Sequence, residues 1–273
     1  MKGISFGQYY PAESPMHRLD PRIKVVLAII YIVCTFLCKS LFAFLLLTLS
    51  VFFLIFISKI PLKTVLRSVR PLLFIIAFTF VINIFWSRGQ HLLVEFWVFR
   101  IYWEGIWNAV FMFLRIFALI TATGIFLTYT TTPMDLTDAL ESLLSPLKKL
   151  HVPVHVFAMM MSITLRFIPT LMEETEKIMN AQKARGADFT SGSLIKRAKA
   201  LIPILIPLFV SAINRALELA NAMECRCYHG GDGRTRLNVM HCKGKDWAAL
   251  LFVVVFGTAL FLLNLVNIGY TMG

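Results

Sequence analysis

Long runs of apolar residues are the feature that most constrains the fold of this chain. The segment 41–58 holds eighteen residues without a single charged side chain. A helix needs about 20 mostly apolar residues to cross the hydrocarbon core of a bilayer. Segments that meet or approach this length occur at 23–38, 41–58, 71–86, 106–129 and 247–268. We therefore predict an all-α, polytopic membrane protein with about five transmembrane helices.

Composition supports this interpretation and excludes several other classes of protein. Hydrophobic residues make up 58% of the 273 residues and charged residues 15%, whereas a soluble domain carries about 25% charged residues. These values exclude a soluble enzyme, a disordered chain and a disulfide-rich secreted domain. The sequence also lacks the phosphate-binding pattern G-x-x-x-x-G-K-[ST]. We expect no enzymatic activity and no cofactor, so the energy for any transport must come from a partner or an ion gradient.

Basic residues exceed acidic residues by 12, and their distribution predicts the orientation in the membrane. Loops rich and poor in Lys and Arg alternate along the chain, instead of forming the single basic stripe that fits nucleic acid. Under the positive-inside rule, this alternation places the N-terminus inside the cell and the C-terminus outside. We predict the lipid bilayer as a partner and no nucleic acid.

The chain divides into three predicted regions: 1–129 with four membrane helices, 130–246, and a last transmembrane helix in 247–273. Fifteen Lys and Arg residues lie in 130–246. A connection of this length is expected to have a structure of its own. We predict three helices in it, on the cytoplasmic side of the membrane.

The first of these helices is predicted to begin at Pro133, with Thr132 as its N-cap, and to end near Pro153. It is amphipathic, because leucines recur at helical spacing. These are Leu136, Leu140, Leu143, Leu144 and Leu147.

The second and third helices are predicted at about 154–183 and 194–223. Each has an apolar part with proline inside it, at 154–170 and 201–213, followed by a charged half. We interpret both as helices that lie obliquely at the cytoplasmic interface. In the alternative, each apolar part spans the membrane, which gives seven spans and leaves the termini on the same sides.

Both of these helices close with the pattern N-A-x-x-x-R, at 180–185 and again 41 residues later at 221–226. The arginines lie in the triplets Ala184-Arg185-Gly186 and Cys225-Arg226-Cys227, which we call the first and second tips. Gly186 is expected to end the first helix and Gly230-Gly231 the second. A small-Arg-small tip can enter a groove of another protein, where the guanidinium pairs with a carboxylate. The alternative is an ordinary arginine that complements the negative end of a helix.

A further pattern opens the chain. It reads Gly7-Gln8-Tyr9-Tyr10-Pro11, then Ser14, His17 and Leu19-Asp20-Pro21-Arg22, with Lys24 following. Together with the two tips, this signature resembles the transmembrane T components of energy-coupling factor (ECF) transporters, the EcfT/CbiQ family. Members of that family carry two x-Arg-x motifs, usually Ala-Arg-Gly, at the ends of two cytoplasmic coupling helices. The first tip matches fully, and the second keeps only the arginine. The resemblance covers the whole chain in order.

The resemblance implies a scaffold subunit of an ATP-driven importer in the cell membrane of a prokaryote. Its implied partners are two ATP-binding cassette ATPase subunits, one docked on each tip, and a membrane-embedded S component that binds the substrate. ATPase motion would then drive uptake of a vitamin or a metal ion. The S component determines the cargo, so this chain does not name it. We predict an adaptable S-component surface, with ordinary packing as the alternative. Its residues are Leu136, Leu140, Leu144, Met159, Met160 and Met161.

Two other interpretations compete with this one. Cys225, Cys227, His229, His241 and Cys242 have metal-ligand chemistry, but their spacing is not that of a zinc motif, and we predict no metal site. A self-contained secondary transporter or channel would use Arg115 or Arg166 along its path. Such proteins concentrate ionisable groups near the membrane midplane, and the predicted spans contain no carboxylate.

Overall fold

The computed structural model of the chain describes residues 9–86, 92–96, 99–189, 193–230 and 240–266. These residues form two compact units. The first unit draws on Met1–Ala139 and Val239–Gly273, and the second on Leu140–Asn238. Gly7 and Gln8 of the opening signature, and Gly231 beyond the second tip, lie outside the described residues.

The predicted all-α membrane fold is confirmed, with one short hairpin added. The elements of the first unit are α1 (Pro21–Leu37), α2 (Leu41–Ser58), α3 (Leu62–Val69), α4 (Leu73–Trp86), β1 (Leu92–Phe96), β2 (Phe99–Tyr102), α5 (Trp103–Thr123), α6 (Pro133–Leu143), whose last residues enter the second unit, and α9 (Gly244–Val266). A π-helical turn, Gly124–Tyr129, continues α5. The antiparallel hairpin of β1 and β2 was not predicted, because a short pair of strands between two spans gives little periodic signal.

The third predicted span begins earlier than expected. The prediction placed its start at Pro71, but helical structure already starts at Leu62 and continues through a 3₁₀ turn, Arg70–Leu72, into α4. Proline lacks an N–H and blocks the regular α-helical hydrogen bond, so the chain tightens locally without leaving the helix. Val65 and Val69 are buried, which explains why the polar segment before Pro71 is helical.

The core of the first unit is built by α1, α2, α5 and α9. Phe44 of α2 stacks on Phe111 of α5, with ring centroids 4.8 Å apart, and both rings are fully buried. Small residues allow close approach of helices, as is usual in membranes. Gly257 of α9 is such a position, since a Cβ added there would meet Cys34 Sγ at 2.7 Å. Large apolar side chains on the outer faces are exposed, as a lipid environment requires; Phe56 is 83% exposed.

The opening signature fixes the start of α1 through Asp20 and Lys24. The Asp20 carboxylate accepts from the Arg22 N–H at 2.9 Å and caps the helix. The Asp20 N–H donates at 2.9 Å to the carboxylate of Asp246, which is buried at the start of α9. Lys24, also buried, donates to the Thr130 carbonyl at 2.7 Å. These hydrogen bonds connect the start of α1 with the start of α9 and with the end of the helical segment that continues α5.

The second unit contains the end of α6 together with α7 (Val154–Ala184) and α8 (Leu194–Cys225). The cap at Thr132 is confirmed, because its hydroxyl accepts from the Asp135 N–H at 3.2 Å. The predicted end of this first helix near Pro153 is wrong, since α6 stops at Leu143 and a 3₁₀ helix, Ser145–Leu150, follows. Pro146 disfavours helical geometry at the preceding residue and ends the α-helix.

Among the residues that the structure describes, six helices are long and apolar enough to cross a membrane. They are Leu41–Ser58, Leu62–Asn83, Trp103–Tyr129, Val154–Ala184, Ile195–Cys225 and Gly244–Leu265. α1, with 17 residues, is not among them. The six include α7 and α8, so length and composition do not separate the five-span from the seven-span arrangement. The count of five spans and the orientation of the termini stay predictions.

Candidate functional site

The first tip closes α7 with a Schellman motif, a helix end in which the residue after the cap is left-handed. The Gly186 N–H donates to the Lys183 carbonyl at 2.9 Å, and the Ala187 N–H donates to the Gln182 carbonyl at 3.0 Å. Gly186 has a φ of +89°, which glycine adopts without steric cost. Arg185 is thereby held at the C-cap position and is exposed.

The second tip repeats this geometry with a different residue in the left-handed position. The Cys227 N–H donates to the Glu224 carbonyl at 2.9 Å, and the Tyr228 N–H donates to the Met223 carbonyl at 3.1 Å. Cys227 has a φ of +55°. The expectation that Gly230-Gly231 ends this helix is wrong, because the Schellman bonds already terminate it at Cys227. Arg226 is again the exposed C-cap residue.

The two tips are therefore equivalent in backbone structure as well as in sequence. All six of their residues are exposed. Within the described part of the chain, neither guanidinium makes a hydrogen bond or an ion pair. An exposed arginine that makes no contacts keeps its planar set of donors available for bidentate pairing with a carboxylate on another protein.

A carboxylate that sequence reasoning missed joins the two long helices. Glu174 of α7 accepts from the Ser211 hydroxyl at 2.6 Å and from the Arg215 guanidinium at 3.1 Å, both on α8. We call these three residues the α7–α8 clamp. The only signal in the sequence was the presence of opposite charges in the two charged halves, and it did not identify the pairing.

Comparison with known proteins identifies the family. The chain matches the family model CbiQ, described as cobalt transport protein, over residues 12–237. It is 49% identical to the energy-coupling factor transporter transmembrane protein EcfT of Ruminiclostridium cellulolyticum, over 97% of this chain and 99% of that protein. The EcfT proteins of Bacillus subtilis and Lactococcus lactis subsp. cremoris are each 43% identical, over 97% and 98% of this chain and 99% and 100% of theirs. The chain belongs to this family.

As a member of the EcfT family, the protein is a multi-pass transmembrane component of an energy-coupling factor transporter. The alternative of a self-contained transporter or channel is not favoured. Arg115 donates to the Cys38 carbonyl at the end of α1, at 2.8 Å, and lies over the Phe44 ring at 5.4 Å from its centroid. The guanidinium of Arg115 is therefore partnered by protein groups. Arg166 is exposed on α7.

The residues predicted for S-component contact are half-buried or exposed in this EcfT-family chain. Leu140 and Leu144 of the α6 region are 41% and 43% exposed. Met160 and Met161 of α7 are 46% and 51% exposed, while Leu136 and Met159 are half-buried. α8 exposes still larger apolar side chains, with Phe209 at 68%. The assignment of these surfaces to an S component stays a prediction.

Among the described residues, no group of three His, Cys, Asp or Glu side chains is placed to hold a metal ion. Cys225 and Cys227 are exposed free thiols. Cys242 lies 3.8 Å from the Asp20 carboxylate, and desolvation together with the charges of Asp20 and Asp246 raises its pKa above the ordinary value. Its thiol is therefore less ionised at neutral pH than an ordinary one.

Proposed function

We propose that the protein transmits ATP-driven motion from two ATPase subunits to a substrate-binding S component. In this proposal, Arg185 and Arg226 are the contacts with the ATPases. The observation that supports it is the repetition of one helix end, in which the same hydrogen bonds hold an exposed arginine at the same cap position. Two equivalent tips suit a partner that presents two equivalent grooves, as a pair of ATPase subunits does.

The role of each arginine in this proposal is to insert a planar, permanently charged group into an acidic groove. An arginine that only complements its own helix end needs no partner, and its loss would cost less than about 1 kcal/mol. A guanidinium paired bidentately with a carboxylate in a protein interface contributes more, and truncating such a contact costs about 2–5 kcal/mol. The two roles are therefore separable by experiment.

The first prediction concerns charge reversal at both tips. We expect Arg185→Glu combined with Arg226→Glu to abolish co-purification of the ATPase subunits, because a glutamate would repel the carboxylate that binds the arginine. The measurement is co-purification in mild detergent after co-expression with the ATPases of the same organism. The membrane protein itself should accumulate normally, since neither side chain packs within the described structure.

The matched control reverses two exposed lysines of α8, Lys196→Glu with Lys199→Glu. This pair carries the same change in charge at the start of α8, with Lys196 11 residues after Arg185 and Lys199 27 residues before Arg226. It tests whether a change of charge that keeps both arginines is enough to cause the loss. Undiminished co-purification with the tip variant, or equal loss with the control, would contradict the proposal. Arg185→Lys with Arg226→Lys should give an intermediate loss, because lysine keeps the charge without the bidentate geometry.

The cargo-binding partner is proposed from the exposed apolar surfaces of α6, α7 and α8. Large apolar side chains exposed in this way must be covered by lipid or by another membrane protein. Methionine at 159–161 suits a surface that accepts partners of different shape, because its side chain is flexible. Whether the cargo is a vitamin or a metal ion depends on the S component that binds there.

A further inference from the structure

A cavity in the first unit is separate from both tips and from the surfaces discussed above. It has a volume of about 700 Å³ and lies between the end of α2, the start of α9 and the segment 13–19. Cavities of roughly 300–1,000 Å³ are typical of small-molecule sites. This cavity is therefore large enough to hold part of a ligand.

The walls of the cavity are apolar. Leu27 and Phe126 line it, and each is only 1% exposed. Phe53 of α2 and Phe252 of α9 lie beside it, with ring centroids 5.9 Å apart, and are 46% and 54% exposed. Half-exposed phenylalanines on two predicted membrane helices face hydrocarbon, so these walls suit an acyl chain.

The rim of the cavity is cationic. Arg18, Lys59 and Lys245 line it, and Glu13 is the single acidic residue among the described lining residues. Glu13 already pairs with Arg18 at 3.2 Å. Lys59 and Lys245 make no ion pair within the described part of the chain. Both lysines are exposed, so two ammonium groups without an ion pair line the solvent-accessible side of an apolar cavity.

The membrane position of this rim follows from the predicted orientation. Lys59 caps the end of α2, and Lys245 lies in the first turn of α9. The positive-inside rule predicts that both ends face the cytoplasm. Anionic lipids of the cytoplasmic leaflet attract Lys and Arg next to membrane helices, and basic pockets between such helices bind lipid headgroups.

We propose that this cavity binds an anionic phospholipid. The headgroup phosphate contacts Lys59 and Lys245, and an acyl chain lies between Phe53 and Phe252. Charge complementarity selects this occupant, since a zwitterionic headgroup carries its own cation and gains less from the two lysines. The proposal is independent of the ATPase contacts, and its test does not involve transport.

The test titrates the purified full-length protein with phosphatidylglycerol and measures retained lipid by native mass spectrometry. The variant is Lys59→Gln with Lys245→Gln. Each lysine near a headgroup changes the affinity about fivefold, so we expect roughly 25-fold weaker binding of the first lipid. Phosphatidylcholine with the same acyl chains should bind the parent protein more weakly and respond less to the variant.

The matched control is Lys63→Gln with Lys243→Gln, which removes two exposed lysines that lie near the same helix ends but outside the cavity. It should leave the affinity for phosphatidylglycerol unchanged. Equal losses in both variants would show a diffuse charge effect and overturn the proposal. Equal affinity for the two lipids would overturn it as well.

A second variant tests the acyl-chain part of the site. Ala248 lines the cavity and is exposed, so Ala248→Phe narrows the cavity without changing a charge or entering the core. We expect weaker phosphatidylglycerol binding with an unchanged unfolding temperature in detergent. Unchanged lipid binding, or equal binding of glycerol phosphate without acyl chains, would show that the cavity does not hold the lipid.

Discussion

At the scale of single residues, the residue after each tip arginine determines the free-energy cost of ending the helix there. Gly186 and Cys227 occupy the same left-handed position, with φ of +89° and +55°. Cysteine has a Cβ that crowds the backbone in this conformation, at a cost of about 1 kcal/mol. The Ala-Arg-Gly form of the motif is thus explained by backbone geometry, and the second tip reaches the same structure at a higher cost.

The second prediction follows from this difference. We expect Cys227→Gly to stabilise the end of α8 by about 1 kcal/mol and to slow amide exchange there roughly fivefold. The reciprocal change, Gly186→Cys, should speed exchange at the end of α7 by a similar factor. No atom lies within 4 Å of a Cβ added at Gly186, so the effect would come from the backbone alone. The measurement is hydrogen–deuterium exchange of peptides that cover the two tips.

Cys225→Ala serves as the control, because it removes a neighbouring thiol from a helical position without changing the left-handed residue. It should leave exchange at the second tip unaltered. If Cys227→Gly and Gly186→Cys left the amide exchange rates of both tips unchanged, the residue in the left-handed position would not determine the stability of either helix end.

At the scale of elements, the sequence predicted which segments are helical far better than it predicted which contacts hold the helices together. Apolar length identified α2 from Leu41 to Ser58 at both ends, because no charged residue interrupts the run. Asn264 shows what periodicity cannot reveal. Its side chain accepts from the Lys39 and Ser40 N–H groups at 3.0 and 3.1 Å, and so fixes the tight turn between α1 and α2 from another helix. Such pairings join residues far apart in sequence.

The candidate site shows the same limit. The arginines were found because a local pattern recurs, and Gly186 was expected to end its helix because glycine favours the left-handed conformation. The left-handed conformation of Cys227 was not predicted, because cysteine does not favour it. The hydrogen bonds of the helix end impose that backbone conformation. The α7–α8 clamp was missed because many opposite charges lie on both helices.

The third prediction concerns that clamp. Among the described hydrogen bonds, the Ser211 hydroxyl on α8 donates only to Glu174 of α7, which also accepts from Arg215. We expect Glu174→Ala to speed amide exchange in α7 and α8 around these three residues, because it removes both hydrogen bonds between the helices. Exchange at the two tips should change less, since their hydrogen bonds are local.

Glu173→Ala is the matched control, because Glu173 is exposed and no hydrogen bond or ion pair is described for it. It changes the net charge by the same amount on the same turn of α7. Equal exchange in the two variants would mean that the clamp does not hold the helices together.

At the scale of the whole molecule, the number of spans decides whether the two tips lie on the same side of the membrane. If α7 and α8 lie at the interface, both tips face the cytoplasm. If both helices cross the membrane from a cytoplasmic α6, the first tip lies outside the cell and the second inside. Only the first arrangement allows both arginines to bind cytoplasmic ATPases, although the termini lie on the same sides in both.

The fourth prediction uses the equivalence of the tips to test which side of the membrane each tip faces. Cys225 is a natural thiol at the second tip, and Ala184 occupies the corresponding position of the first, 41 residues earlier. Two single-cysteine proteins are compared: one retains Cys225, and the other carries Ala184→Cys with Cys225→Ala. Cys34, Cys38, Cys227 and Cys242 are replaced by alanine in both. In intact cells we expect neither thiol to react with a membrane-impermeant maleimide, because both tips face the cytoplasm.

After the membrane is permeabilised, both thiols should react at similar rates, since both positions are exposed. This step shows that the lack of labelling in intact cells reflects the side of the membrane and not burial. Labelling of the first tip alone in intact cells would establish seven spans and would exclude simultaneous binding of both arginines to cytoplasmic subunits. The proposed ATPase contacts therefore depend on a topological result that is independent of any transport assay.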